Sequence, residues 1–228
     1  MKMSQSEAES PEKVTFTDRM RVVTKPIIDP VVTFLAKYKI SPDILTVLGM
    51  LFHFLFAWLI AIGEFTWAGV AMLFMAPLDA LDGSLARKLG RKQGGFGAYL
   101  DSVLDRLAEV ILFGGFIYYY YLQSNDFMLA VTYIAITGSL LVSYSRSKAE
   151  SLGYEAKVGI GSRVERYFLM IVFLIIRQPQ IALGVLAAIT YITVAQRMYV
   201  VWKQWITALR EEEAQAAQTA QTAQEVER

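Results

Sequence analysis

Apolar runs of about 20 residues, the length a helix needs to cross the hydrocarbon core of a bilayer, recur six times along this 228-residue chain. They fall at roughly 43–63, 66–88, 97–123, 127–149, 161–177 and 180–203. The predicted fold is an all-α integral membrane protein of six transmembrane helices occupying 41–205, preceded by an N-terminal amphipathic juxtamembrane segment at 13–40. That segment mixes Arg19, Arg21 and Lys25 with Val22, Val23, Ile27 and Ile28, as a helix lying along a membrane surface does. Pro26 and Pro30 are expected to break it into a surface helix or two. Residues 1–12 are expected to form a disordered polar tail, and 206–228, rich in Glu, Gln and Ala with a short Thr-Ala-Gln repeat, a polar C-terminal tail without a core. The start MKMSQSEAES is polar and acidic, unlike a signal peptide, so the first span is expected to stay in the mature protein.

Composition agrees with this pattern: 55% of residues are hydrophobic, and the mean hydropathy is +0.39, beyond the range of ordinary soluble domains. Lys and Arg gather in cytoplasmic segments near span ends. Here they crowd the segment before the first span, the second-to-third loop (Lys88, Arg91, Lys92) and the fourth-to-fifth loop with its flanks. The connections around 63–66 and 123–126 carry none, and the remaining one has only Arg177. A multi-pass cell-membrane protein with both termini cytoplasmic follows. Trp67 and the run Tyr118 to Tyr121 then fall at the outer boundary, where aromatic rings favour the headgroup level. A net charge of +1 gives no encouragement to a nucleic-acid partner. Without cysteine, disulfides and thiolate chemistry are excluded, and a metal must use oxygen ligands or the single His53, which reads better as an interhelical hydrogen-bond partner.

Against this background four aspartates stand out: Asp79, Asp82, Asp101 and Asp105. An aspartate at mid-bilayer costs roughly 2.5–3.5 kcal/mol on insertion scales, an upper limit for groups near the cytoplasmic ends of their helices. At about 100° per residue, Asp79 and Asp82 share one face of the second span, and Asp101 and Asp105 one face of the third. Gly83, Ala86 and Gly97 border these faces and permit close backbone or ligand approach. Such carboxylate pairs suit Mg²⁺, which prefers carboxylate, phosphate and water oxygens; two ions gripping a pyrophosphate would assist in-line displacement. A carboxylate not fully committed to metal can take the proton of an acceptor hydroxyl, and Arg87 can offset the departing nucleotide's charge. The plainer alternative is that the acids pair with basic neighbours, Asp105 with Arg106 or Asp101 with Arg87, and only hold helices together.

The string Asp79-Ala-Leu-Asp82-Gly83-Ser-Leu-Ala86-Arg87, followed by Gly97-Ala-Tyr-Leu-Asp101-Ser-Val-Leu-Asp105, resembles the signature of the CDP-alcohol phosphotransferase family. Upstream, Ser41-Pro42-Asp43-Ile44-Leu45-Thr46 resembles the family's nucleotide-holding segment before the first span, with Asp43 where the family commonly has Asn. The loop between Arg87 and Gly97 is one residue longer than is usual there. The resemblance implies a six-helix membrane enzyme, usually a homodimer, that transfers a phosphatidyl-type group from a CDP-linked lipid to an alcohol and releases CMP. It implies Asp79, Asp82, Asp101 and Asp105 as ligands of Mg²⁺ or Mn²⁺, two ions in number, with Asp105 also the general base. Thr46, Asp79, Asp82, Gly83, Ala86 and Arg87 would contact the CDP moiety.

A second polar cluster lies on the same expected side. Ser143, Arg146 and, less well aligned, Lys148 end the fourth span; Arg163 and Arg166 open the fifth. Basic clusters of this kind hold doubly charged oxyanions, although positive-inside bias and snorkelling also place arginines at span ends. The strings Ser-Tyr-Ser-Arg-Ser-Lys-Ala-Glu and Gly-Ser-Arg-Val-Glu-Arg resemble the acceptor pocket of the inositol-phosphate-using prokaryotic branch of the family, the phosphatidylinositol-phosphate synthases. Ser143, Arg146, Lys148, Arg163 and Arg166 would then bind the phosphate of a small phosphorylated polyol, inositol phosphate. Glycerol-3-phosphate, as in a phosphatidylglycerophosphate synthase, is the alternative acceptor. A divalent-cation transporter, with the aspartates as transport site, is the alternative from another class.

Overall fold

The computed structural model describes residues 16–90 and 95–226, with side chains except at residues 16–25, 27, 78–80, 220 and 222–226. The expected tail at 1–12, together with Arg91 and Lys92, therefore lies outside the described residues. Within them the chain is all-helical: α1 (Phe16–Lys37), α2 (Pro42–Ala61), α3 (Phe65–Met75), α4 (Leu78–Lys88), α5 (Phe96–Leu122), α6 (Asp126–Ser151), α7 (Arg163–Ile175) and α8 (Pro179–Val226). Three helices among the described residues are long and apolar enough to cross a membrane, α2, α6 and α8 as far as Thr219, and α3 is a shorter apolar helix.

Four expectations change. The second run is not one helix: it breaks between Met75 and Leu78 into α3 and α4. Pro77 has no N–H to give the carbonyl four residues back, and with φ −65° it serves as the N-cap from which α4 restarts. Conversely, α1 is one continuous helix with Pro26 and Pro30 inside it. Each proline removes a single backbone bond, and both are exposed, while Ile28 and Val32 are buried in the core against α4. The fifth run forms a short α7 of 13 residues, opened by a capping box in which Ser162 and Glu165 bond each other's backbone N–H. The C-terminal polar stretch is helical, since α8 continues to Val226. Its Ala, Glu and Gln residues favour helix intrinsically, and residues 211–219 are exposed.

Two compact units make up the chain. The first comprises the described part of Met1–Gly49 with Met75–Asp101. Its core joins Ile28 and Val32 of α1, Leu45 of α2, and Leu81 and Leu85 of α4, flanked by Leu35 and Ala36. Lys88 Nζ also donates to Thr33 Oγ1 at 2.6 Å, tying α4 to α1.

The second unit comprises Met50–Phe74 with Ser102–Arg228. Small residues let its helix backbones approach closely: Gly115 of α5 lies against the Ala57 backbone of α2, and Gly138 of α6 against Thr190 and Tyr191 of α8. The buried Thr132, Thr190 and Thr193 hydroxyls each bond the carbonyl four residues back, so they add no unsatisfied group to the apolar interior. Gly115→Ala is expected to destabilise the protein by about 1–3 kcal/mol, because a Cβ would meet unyielding backbone. Gly114→Ala, whose Cβ would meet nothing within 4 Å, should leave the melting temperature of detergent-purified protein unchanged. The tyrosine run divides as well. Tyr118 and Tyr121 are exposed and Tyr120 is buried, while Tyr119 packs on Phe65 at 4.9 Å. Four consecutive helical residues cannot share one face.

Candidate active site

In the first unit, the restart at Pro77 places Asp79 in the first turn of α4; its side chain lies outside the described residues. Asp82, one turn on, is held on both oxygens: Thr46 Oγ1 donates to Oδ2 at 2.8 Å and Gly83 N to Oδ1 at 2.5 Å. The expected nucleotide-holding Thr46 is thus joined directly to a signature aspartate. A Cβ on Gly83 would lie 3.6 Å from Arg87 Nη1, an ordinary contact, so internal packing does not require glycine there. Small size at that position suits the close approach of a ligand instead. Ala86 is half-buried and Arg87 is exposed, with its Nη2 donating to Ser84 Oγ at 3.0 Å. Asp101, near the start of α5, is half-buried.

Among the described residues, which leave out the Asp79 side chain, no three His, Asp or Glu side chains gather as a metal-binding group. Carboxylate chemistry fits a hard divalent cation at each position by itself: in the first unit Asp82 offers two oxygens oriented by neutral donors, and in the second Asp105 already attracts a positive group.

That group is Arg163, whose Nη1 lies 2.8 Å from Asp105 Oδ2 in the second unit. Arg106, the sequence neighbour considered for this pairing, turns its Nη1 to the Ser102 carbonyl at 2.5 Å. One turn beyond Asp105, Glu109 Oε1 lies 2.6 Å from Arg166 Nη2, and Arg166 Nη1 donates to the Gly161 carbonyl at 2.6 Å. The α7 capping box sets this register by starting the helix at Arg163. Arg163, Arg166, Glu109, Ser139, His53 and Tyr167 line a small cleft that is otherwise apolar. His53 is buried, its ring packing on Phe56 at 5.2 Å and Tyr167 at 6.1 Å.

Of the predicted acceptor residues on α6, Ser143 is half-buried and Lys148 exposed. Arg146 pairs with Glu150 at 2.8 Å, both partly exposed. Lys148 lies about 200° around the helix from Arg146, on another face. The hydropathy pattern hid a further basic residue, Arg197, inside the last apolar run. It is buried, donates from Nε to the Val158 carbonyl at 3.1 Å and from Nη1 to the Val142 carbonyl, and so ties α6 and the α6–α7 loop to α8. A lone arginine in so apolar a run is itself a signal, because such a residue needs a partner or a function.

The description of the CDP-alcohol phosphatidyltransferase family matches residues 39–211. The archaetidylinositol phosphate synthase of Pyrococcus horikoshii is 35% identical over 167 residues, covering 72% of this chain and 85% of that protein. The phosphatidylinositol phosphate synthase of Cutibacterium acnes is 35% identical over 149 residues, 64% of this chain and 71% of that one. Among solved structures, the Mycobacterium tuberculosis phosphatidylinositol phosphate synthase with CDP-DAG bound superposes with a TM-score of 0.72 at 26% identity, covering 78% of this chain and 94% of that chain. The same enzyme in complex with manganese and citrate gives 0.70, with 76% and 88% covered.

Proposed function

This chain belongs to the CDP-alcohol phosphatidyltransferase family, and from that premise we propose that it is a membrane phospholipid synthase that transfers a phosphatidyl-type group from a CDP-linked lipid to inositol phosphate and releases CMP. The observation that carries the choice of acceptor is the pair Arg163 and Arg166 lining one cleft, with Arg197 a further buried arginine of the same unit. Guanidinium groups on the wall of a cleft suit a multiply charged oxyanion. The bound states of the tuberculosis enzyme, CDP-DAG in one crystal and manganese in another, support the donor and the need for a divalent cation.

In this reading Asp79, Asp82, Asp101 and Asp105 hold Mg²⁺ or Mn²⁺, as two ions, an assignment carried by the signature position by position. The cation would offset the charge of the donor's diphosphate and of the leaving CMP. Thr46 and Gly83 N fix the Asp82 carboxylate, so that it meets its ligand in one orientation. Thr46, Gly83, Ala86 and Arg87 contact the CDP moiety. Asp105 takes the proton of the acceptor hydroxyl as its oxygen bonds the β-phosphorus, the one bearing the lipid, and the bond from that phosphorus to CMP breaks. Ser143, Arg146, Arg163 and Arg166 hold the acceptor phosphate with Arg197, while Lys148, on another face of α6, is left out of this set. The protein crosses the membrane six times, with its termini and site cytoplasmic, and works as a homodimer.

An acceptor series tests this reading. Purified protein supplied with CDP-diacylglycerol should give a kcat/KM for inositol phosphate at least about a hundredfold above that for free inositol, the discrimination expected when buried charged groups lose their partner. Arg197→Ala should remove most of that preference. Efficient turnover with glycerol-3-phosphate and none with inositol phosphate would reassign the acceptor.

A further inference from the structure

We propose that Glu109 is a positioning residue for the acceptor, fixing the orientation in which Arg166 meets the acceptor's phosphate; the inference rests on the reading of Arg166 as a phosphate contact. Glu109 lies four residues beyond the last aspartate of the signature and outside the nucleotide-holding segment. α5 thus presents one carboxylate to each of the two arginines that open α7: Asp105 to Arg163 and Glu109 to Arg166.

A guanidinium carries five donors in a rigid planar fork, so fixing two of its ends fixes the plane of the rest. Arg166 is held this way from two directions. Glu109 Oε1 takes Nη2 at 2.6 Å, and the Gly161 carbonyl, on the loop that leads into α7, takes Nη1 at 2.6 Å. The side chain is only 4% exposed, too confined to find its orientation by sampling rotamers in water. The pair with Glu109 is one-pointed. A side-on fork would join Nε and Nη2 to both carboxylate oxygens; here Glu109 Oε2 and Arg166 Nε are both buried and bonded to no protein group among the described residues. Glu109 therefore offsets the charge of Arg166 and orients it while leaving a donor uncommitted, on a residue that lines the cleft.

The test is steady-state kinetics of CMP release by the full-length protein in detergent micelles, with inositol phosphate and CDP-diacylglycerol varied separately. Glu109→Ala should raise KM for inositol phosphate at least about tenfold, as misplacing a contact group does, while KM for CDP-diacylglycerol stays within about twofold. Glu109→Gln keeps the shape and an oxygen acceptor and should show a smaller rise of the same kind; it decides the matter if Glu109→Ala does not fold. Combining Glu109→Ala with Arg166→Ala should add nothing to the acceptor KM of Arg166→Ala alone. Equal rises in both KM values, or full additivity with Arg166→Ala, would overturn the role of Glu109 while leaving the acceptor assignment standing. A parent protein that turns over CDP-diacylglycerol with another acceptor and never with inositol phosphate would overturn the underlying reading, and this inference with it.

Discussion

Asp105→Asn is expected to reduce CMP-forming turnover by about a thousandfold, the usual worth of a positioned general base. Asparagine keeps the size and one oxygen acceptor but cannot remove a proton. Fold should survive, because the Asp105–Arg163 pair is partly exposed, at 16% and 31%, and pairs open to solvent contribute little to stability. The informative comparison is between turnover and donor binding. Calorimetric titration of CDP in the presence of Mn²⁺ should still give a saturable isotherm for the variant. Turnover at the parent rate would remove Asp105 from the base role and revive the reading of the aspartates as helix-pairing groups.

Arg166→Ala carries the second large effect, and it is twofold. The substitution strands the half-buried Glu109 carboxylate by removing its buried partner, a loss of up to about 3 kcal/mol. A clear fall in melting temperature should follow. It should also lower kcat/KM for inositol phosphate by about a hundredfold or more through the lost phosphate contact. The two consequences separate in the double substitution Glu109→Leu with Arg166→Met. Replacing both charges by apolar groups of similar volume is often neutral for stability, so the melting temperature should recover while acceptor affinity does not. Recovery of both would reduce Arg166 to a helix-packing residue.

How far the sequence revealed this molecule differs from element to element. The starts of α2, α6 and α8 lie within one residue of where the apolar runs place them, because helices of that length and hydropathy are set by local composition. The break at Pro77 was hidden, because the run stays apolar across it and hydropathy does not register a missing backbone donor. Pro26 and Pro30 mislead in the opposite direction, because burial of Ile28 and Val32 against α4 outweighs two lost backbone bonds. The aspartate signature was fully legible as spacing. Glu109 and Arg197 were not, since what they do depends on partners far away in the chain: Glu109 meets Arg166 across 57 residues, and Arg197 meets Val142 across 55. Periodicity reports which face a residue occupies, whereas the partner that makes a buried charge tolerable is chosen by tertiary packing.

The most direct measurement supplies the purified protein, in lipid vesicles with Mg²⁺ or Mn²⁺, with CDP-diacylglycerol radiolabelled in its lipid and with inositol phosphate. The account predicts one labelled phosphatidylinositol phosphate formed for each CMP released, and no product once a chelator removes the cation. CMP release without lipid product, lipid product only from a different acceptor, or vesicle uptake of the divalent cation without any CMP would contradict it.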